Sequence, residues 1–599
     1  MAWYDEAVFY HIYPLGLAGA PKQNDYGEPV HRLNTLLPWV DHIKEIGGSA
    51  LYIGPLFESV GHGYETTDYK KLDSRLGTNE DLTAFVAYCH EQGIKVIFDG
   101  VFNHTGRDFF AFKDIQVNRE NSQYKDWYCN VNFWGNNEYN DGFSYDNWGG
   151  YNLLVKLNQK NPAVVDYICD VIRFWVSEFD VDGIRLDAAD VLDFDFMKAL
   201  RRTANEVKPD FWLMGEVIHG DYSRWVNGET LHSVTNYTLH KALYSGHNDH
   251  NYFEIAHTVR RLQNMGTLKL YNFVDNHDVE RIYTKLTNKA HFAPVHVLLY
   301  TLPGVPSIYY GSEFGIEGRK EYGSDDSLRP ALNIEDYKDS VKTNPCTALI
   351  AALGKVRQAV PALSYGSYDE LMLTNRQFAY ARDLDGTRVI VSVNNDDAPA
   401  GMHLAAGNCT AYIGALSGEK VSVQDGHINI TQPANSGEIW VPEGTDLDVK
   451  PVKVVTKTES EAKTNTEDKA ASETATDAKG NKEADPKIES KESKDIVTAT
   501  ESADAKKNTT NTEKNISAAN EVKDSAKDAS AQAAADTPVD PETITVDWSK
   551  SPESMTVPEL QAAILAKLAG NGPVDAQMKK TVTDNIWHDS LVNWLKSFR

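Results

Sequence analysis

Three acidic residues lie at the ends of short apolar runs in the middle of the chain. Asp187 follows GIRL, Glu216 follows WLMG, and Asp278 ends the segment FVDNHD. Successive acids are 29 and 62 residues apart, which fits one and two strand–helix repeats of about 30 residues. If the runs are parallel strands of one barrel, their carboxyl ends meet at one rim, so the sequence predicts that the three carboxylates converge there.

A converging set of carboxylates suits acid–base and nucleophilic chemistry, because like charges and partial burial raise the pKa of carboxyl groups. Arg185 lies two residues before Asp187, on the same face of a strand, and is expected to keep Asp187 ionised as a nucleophile. Glu216 has no cation in its own strand and is expected to hold and donate a proton. Hydrolysis of a glycosidic bond uses this division of roles. For any single acid, a solvated loop carboxylate or a helix cap is the alternative.

Eight short β-rich runs alternate with amphipathic stretches and must position these side chains. Segments 78–93, 162–179 and 193–208 each open near a capping residue and carry apolar residues three and four apart, which predicts helices. Eight strands separated by helices favour an α/β fold, a closed (β/α)8 TIM barrel, over an open doubly wound sheet. The predicted strands are 8–14, 49–57, 95–102, 182–188, 211–217, 232–237, 268–274 and 306–311.

Composition divides the chain into further segments. The stretch between the third strand and the next helix is long and rich in Asn, Tyr, Trp and Gly, and such insertions are usually functional. Runs such as TRVIVSVNN and GEIWVP predict an antiparallel β-domain after the barrel. Residues 443–541 lack Phe, Tyr and Trp, which predicts a disordered linker. The predicted domains are the catalytic barrel (1–104 and 161–364), an inserted domain (105–160), a C-terminal β-sandwich (365–442), the mixed-charge linker (443–541) and a helical module (542–599).

Apolar residues return in the helical module 542–599. Leu560, Ile564 and Leu565 fall at helical spacing, and a second periodic run follows the turn at 570–573, which predicts a small helical hairpin. So short a segment is marginally stable alone. It is therefore expected to dock on a protein partner or to mediate self-association, and a loosely helical tail is the alternative.

Composition also limits the classes of partner. The 599 residues carry a net charge of −27, which argues against a nucleic-acid partner because such proteins normally present a basic face. No run approaches the roughly 20 apolar residues of a bilayer span, and the start, MAWYDEAVFY, does not resemble a signal peptide. The five cysteines are widely spaced without a C-x-x-C pair, which predicts neither disulfides nor a zinc site. We therefore expect a cytoplasmic protein with no nucleic-acid or membrane partner.

Four segments resemble, in order and spacing, the signature segments of the α-amylase family of glycoside hydrolases. They are DGVFNH, GIRLDAA, GEV and FVDNHD, and HIYP and GVPSIYYG add to the resemblance, which covers about residues 4–442. The resemblance implies that Asp187 is the catalytic nucleophile and that Glu216 is the general acid and base. It implies that Asp278 is a third carboxylate, which binds sugar hydroxyls and helps to keep Glu216 protonated.

The same resemblance implies the residues that contact the substrate. His104 and His277 would hydrogen-bond the sugar, Arg185 would orient Asp187, and Tyr64 would stack on the sugar ring. No cofactor is required for this chemistry. The family also implies a structural calcium ion, at which Asn103 would help to tie the barrel to the insertion.

Details of the motifs narrow the substrate. LVKLN at 154–158 is similar to the MPKLN of the neopullulanase, cyclomaltodextrinase and maltogenic amylase branch, and Ala188 fits α-1,4 rather than α-1,6 preference. The resemblance thus implies retaining hydrolysis of α-1,4 bonds in maltodextrins or starch-type α-glucans. An α-glucanotransferase, a neopullulanase or cyclomaltodextrinase specificity, and a non-catalytic carbohydrate-binding protein are the alternatives. Most aromatic residues of the insertion are expected in its core, with a few free to stack on glucose rings: Trp127, Trp134, Tyr145, Trp148 and Tyr151.

Overall fold

This computed structural model describes residues 2–449 except 267, 322 and 323, residue 451, and, beyond residue 545, the run 555–569 with a few isolated positions. The chain divides into two compact units, Met1–Ser493 and Lys494–Arg599. Most of the predicted linker, 443–541, lies outside the described residues. The same holds for the second helix of the predicted C-terminal hairpin, apart from Val582 and Leu595.

A parallel eight-stranded sheet forms the centre of the first unit. Its strands neighbour each other in the order 6-5-4-3-2-1-8-7, and a parallel pair between Thr235 and Tyr271 brings the two edges together. Seven observed strands fall within predicted ones and the eighth begins one residue before its predicted start, so the predicted TIM barrel is confirmed. In chain order the strands are Phe9–Ile12, Ala50–Ile53, Lys95–Gly100, Gly183–Leu186, Trp212–Gly215, Ser233–Val234, Tyr271–Asn272 and Val305–Tyr309.

The amino-terminal end of the barrel interior is filled by aromatic side chains. Phe9, Tyr52, Trp212 and Tyr271 are buried in one cluster there, and the rings of Phe9 and Trp212 stack at 5.0 Å between centroids. These rings fill the barrel interior, and the Tyr52 hydroxyl donates to Oδ2 of Asp99 over 2.8 Å, below the polar side chains at the carboxyl ends of the strands.

Helices surround the barrel, and their starts follow the predicted caps. The Thr78 side chain accepts from the Asp81 backbone in a capping box, and Asn161 and Asp193 cap the next two helices. Between the fifth and sixth strands the described chain forms only a short 3-10 turn, Tyr222–Arg224, where the pattern predicted a helix. The barrel-unit helices are Pro14–Leu17, Leu37–Glu45, Asn79–Glu91, Pro162–Phe179, Phe194–Val207, Tyr237–Asn248, Tyr252–Asn264, Ile282–Lys285, Phe292–Thr301, Ser340–Thr343, Pro345–Ala359 and Ala362–Tyr365.

The insertion starts directly after the third barrel strand. It contains the helix Phe110–Asn118 and a three-stranded antiparallel sheet of His104–Thr105, Asn147–Trp148 and Tyr151–Lys156. Because His104 pairs with Lys156, the insertion is fixed to the rim where the third strand ends. A separate hairpin, Phe57–Ser59 with Thr66–Leu72, follows the second barrel strand.

Antiparallel sheets follow the barrel, as predicted. A six-stranded sheet and a two-stranded sheet enclose a core that includes Ile390, Met402, Ile428 and Trp440. Their strands are Ser367–Leu373, Gln377–Leu384, Thr387–Asn394, Ala400–Ala405, Ala411–Gly414, Lys420–Ser422, His427–Gln432 and Ser436–Pro442. In the second unit the helix Val557–Ala569 is present, as its periodicity predicts. Among the helices of the described residues, none is long and apolar enough to cross a bilayer.

Candidate active site

The three acidic residues lie beyond the carboxyl ends of barrel strands. Asp187 directly follows the fourth strand, Glu216 directly follows the fifth, and Asp278 lies six residues after the seventh. Asp187 and Glu216 are buried, while Asp278 is partly exposed. The register of the fourth and fifth strands brings Asp187 and Glu216 close together. Leu186, which precedes Asp187, is paired with Gly215, which precedes Glu216.

The Arg185 guanidinium connects three carboxylates. Its Nη1 lies 3.0 Å from Oδ1 of Asp187 and 2.7 Å from Oδ1 of Asp99, and its Nη2 lies 3.0 Å from Oε2 of Glu216. Arg185 is itself 3% exposed, so these pairs are desolvated and strongly coupled. The cation that is missing from the strand of Glu216 is thus supplied by the neighbouring strand.

Burial is the main cause that raises the pKa of Asp187 well above its ordinary value. Arg185 acts in the opposite direction, while Glu216 and Asp99 raise the pKa further. Arg185 acts in the expected direction on Asp187, but it also contacts Glu216, so the assignment of Asp187 as the ionised nucleophile stays a prediction.

Two further groups hold the Glu216 carboxylate. The Ala188 backbone N–H donates to Oε2 over 3.1 Å, and the Tyr237 hydroxyl donates to Oε1 over 3.4 Å. Ala188 has φ +46° and ψ +41°, a left-handed conformation that costs a non-glycine residue about 1–2 kcal/mol. This strained peptide directs its N–H from the nucleophile segment toward Glu216. Gly215 lets the two segments approach, since a Cβ there would lie 2.7 Å from the Cβ of Ala189.

Asp278 is held by a residue that sequence reasoning missed. Arg329 Nη2 lies 3.0 Å from Oδ1 of Asp278 and 3.0 Å from Oδ2 of Asp325, and Arg329 Nε donates to the carbonyl of His277. The planar guanidinium of Arg329 presents its N–H groups in a rigid fork, which suits carboxylate partners. Lys320 adds a second positive charge, with Nζ 3.2 Å from the Asp278 carbonyl oxygen.

Tyr64 and His277 lie together at the same rim. The Tyr64 hydroxyl is 2.5 Å from Nε2 of His277, and the rings stack with an interplanar angle of 10°. The hydroxyl is also 3.2 Å from Oδ2 of Asp99, and His277 Nε2 is 3.2 Å from Oδ2 of Asp278. These contacts connect the Arg185 cluster with Asp278.

His104 lies behind this group. Its Nε2 is 3.1 Å from the Tyr64 carbonyl oxygen, and its Nδ1 is 3.2 Å from Nδ2 of Asn103. Burial lowers the pKa of His104 to about 3, so the imidazole is neutral near pH 7. Both ring nitrogens have protein partners, and the contact between His104 and a sugar stays a prediction.

The surroundings of Asn103 do not fit a calcium ion. Asn103 is fully buried, and its Oδ1 faces the Gln159 amide nitrogen at 3.5 Å, where calcium would require oxygen ligands on all sides. No group of three or more His, Cys, Asp or Glu side chains in the described part of the chain could hold a metal ion.

Residues 32–350 match the family model described as alpha amylase, catalytic domain. The chain belongs to the alpha-amylase family. As a member of this family it is a glycoside hydrolase, which accounts for paired carboxylates at the barrel rim.

Several relatives within the alpha-amylase family carry the names of the predicted branch. A cyclomaltodextrinase from Bacillus sp. is 31% identical over 422 residues, which are 66% of this chain and 74% of the relative. Neopullulanase 2 of Thermoactinomyces vulgaris is 29% identical over 473 residues, covering 73% of this chain and 78% of the relative. A solved structure of a cyclomaltodextrinase superposes with a TM-score of 0.66 at 26% identity, covering 73% of this chain and 78% of that one.

Proposed function

We propose that this alpha-amylase family member is a retaining hydrolase of α-1,4 bonds in maltodextrins or starch-type α-glucans. The main support is the shared guanidinium of Arg185, with Asp187 and Glu216 each at 3.0 Å. A retaining glycosidase needs two carboxyl groups close enough to flank one glycosidic oxygen, about 5–5.5 Å apart. Two carboxylates on one guanidinium suit that requirement better than separate sites would.

In the proposed double displacement, an Asp187 oxygen attacks the anomeric carbon while Glu216 gives its proton to the departing glycosidic oxygen. A covalent glycosyl ester on Asp187 results. Glu216, now a carboxylate, takes a proton from water as the water attacks the same carbon and releases Asp187. Asp278, with Arg329 and His277 at its two oxygens, would bind sugar hydroxyls.

The anomeric form of the first product tests the retaining mechanism. Proton NMR of maltoheptaose digestion should show the α-anomer before mutarotation, because two inversions at carbon restore the original configuration. An initial β-anomer would refute the proposal. Loss of turnover in Asp187→Asn with retained oligosaccharide binding would agree with it, and full activity in that variant would reject the nucleophile.

The names of the relatives favour a second specificity, for cyclodextrins and pullulan. Comparison of the rates on β-cyclodextrin, pullulan and maltoheptaose would rank these substrates. Longer products from maltotriose would instead identify a glucanotransferase. Binding of these sugars without turnover would identify a non-catalytic protein.

We further propose that residues 542–599 dock on a protein partner or on a second copy of the chain. In the described part of this module Leu560, Ala563 and Ile564 are buried with Val582 and Leu595. Removal of residues 444–599 should leave hydrolysis nearly unchanged and abolish the association. We also infer a cytoplasmic location, supported by five free cysteines, which cell fractionation would test.

A further inference from the structure

The indole of Trp134 lies on the surface of the insertion and is 99% exposed. Tryptophan is highly buried on average, so this indole offers an unusually large exposed apolar area. None of the contacts described for the active site involves Trp134. The insertion therefore presents an aromatic surface that the proposed mechanism does not use.

A rigid base supports this indole. Asn132 and Ser144 exchange backbone hydrogen bonds of 2.8 and 3.0 Å. The backbone N–H of Trp134 donates to Oδ1 of Asn132 over 3.0 Å. The preceding Phe133 packs inward, 5.6 Å from the Phe143 ring. The Gly135 N–H also donates to the Asn132 carbonyl, so the backbone on both sides of Trp134 is fixed and ligand binding would order only the indole side chain.

Trp134 borders a groove of about 670 Å³, within the range of small-molecule sites. Its lining includes aromatic rings, amides and carboxylates. Within it, Asn130 Nδ2 donates to Oδ2 of Asp146 over 2.8 Å. None of the lining residues in this fully described segment carries a positive charge, so an anionic ligand is disfavoured. The lining residues are Glu120, Asn130, Val131, Asn132, Phe133, Trp134, Ser144, Tyr145 and Asp146.

We propose that this groove is a second glucan-binding site, outside the catalytic cleft, at which Trp134 stacks on a glucose ring of a long α-glucan. The apolar C–H face of the sugar suits the indole, and its hydroxyls suit the carboxylate of Asp146 and the amide of Asn130. A self-association interface is less suited, because the centre of such interfaces is depleted of Asp and Glu. The identity of the glucan rests on the proposed function.

Affinity electrophoresis tests the site with the full-length chain carrying Asp187→Asn, so that the polysaccharide in the gel is not digested. Adding Trp134→Ala should weaken retardation by amylopectin about fivefold, whereas Trp134→Phe should preserve most of it. Val117→Ala is the matched control, since Val117 is 79% exposed on the same insertion and does not line the groove. Equal retardation of the Trp134→Ala protein and its parent would overturn the proposal.

Kinetics separate this site from the catalytic cleft. In the active chain, Trp134→Ala should raise KM for amylopectin about fivefold and leave kcat and KM for maltotriose unchanged. Loss of maltotriose turnover would overturn the proposal, as would a change of oligomeric state in sedimentation, which would identify a second copy as the occupant. If the wild-type chain hydrolysed no α-glucan, the proposed function would fail, while the electrophoretic comparison would still decide the binding site.

Discussion

Nη2 of Arg185 lies 3.0 Å from Oε2 of Glu216, so the group expected to donate the proton is ion-paired with a buried guanidinium. Because the other arm of this guanidinium contacts Asp187, the charges of the two acids are coupled. Entry of a substrate would exclude further water and make two ionised carboxylates more costly. The first step of the proposed hydrolysis requires a single proton on this pair.

Replacement of Arg185 by Lys keeps the charge and removes the fork. A single ammonium cannot reach both acids with the geometry of two guanidinium arms, so we expect kcat to fall about 100-fold. The pH profile should shift as well, because the coupling between the acids changes. A variant with the wild-type kcat and pH profile would show that the fork is dispensable.

Replacement of either proposed catalytic acid should remove turnover. For Glu216→Gln we expect kcat to fall by about 10³-fold or more, since the amide cannot donate a proton to the leaving oxygen, with little change in oligosaccharide binding by calorimetry. Asp195→Asn serves as the control, because the Asp195 side chain is 93% exposed on the helix Phe194–Val207. A comparable loss in the control would point to folding and not to chemistry.

Arg329→Gln tests the support of Asp278. Loss of the guanidinium that lies 3.0 Å from Oδ1 of Asp278 should weaken the hold on this carboxylate, and kcat/KM should fall about tenfold or more. Lys320→Gln removes a contact with the Asp278 backbone oxygen and an ion pair with Asp325, and it should have the smaller effect on steady-state kinetics. A larger loss of kcat/KM in Lys320→Gln than in Arg329→Gln would show that the charge of Lys320 is the important one.

The raised pKa of Asp187 predicts the acid side of the pH profile. Burial raises this pKa, and a nucleophile must be deprotonated, so activity should be lost on acidification at a pH above the ordinary aspartate value of about 3.9. The pH dependence of kcat/KM reports the free enzyme and measures this value. An acid limb at or below pH 3.9 would contradict the assignment.

Asp182 is predicted to control stability and not catalysis. Burial acts to raise its pKa, but hydrogen bonds from His90, Val96 N–H, Lys208 and Lys95 outweigh this effect and hold the pKa below its usual range. The stabilisation is therefore present above the unfolded pKa and is lost as the pH falls through that of the folded state.

Asp182→Ala should lower the free energy of unfolding by about 3 kcal/mol at pH 7, measured by denaturant titration, and the difference should shrink on acidification. A loss of the same size at every pH would mean that packing, and not charge, explains the effect of Asp182.

Sequence reasoning was strongest where the relevant residues are neighbours in the chain. The alternation of apolar runs predicted all eight strands, and the two-residue spacing placed Arg185 beside Asp187 correctly. The pairing of Arg185 with Glu216 depends on the register of two strands, which no local pattern encodes. Arg329 lies 51 residues from Asp278 along the chain, in a loop whose path the barrel does not dictate. Tyr237, at the start of the helix after the sixth strand, likewise lacked a spacing signal.

The left-handed backbone at Ala188 ties two properties of the enzyme together. A branched side chain at this position would be strongly disfavoured in that conformation, so the peptide would rotate and withdraw its N–H from Glu216. Attempts to retune linkage preference by enlarging residue 188 would therefore also disturb the hydrogen bond that holds the Glu216 carboxylate. Engineering that leaves this peptide untouched and varies the surrounding loops avoids that conflict.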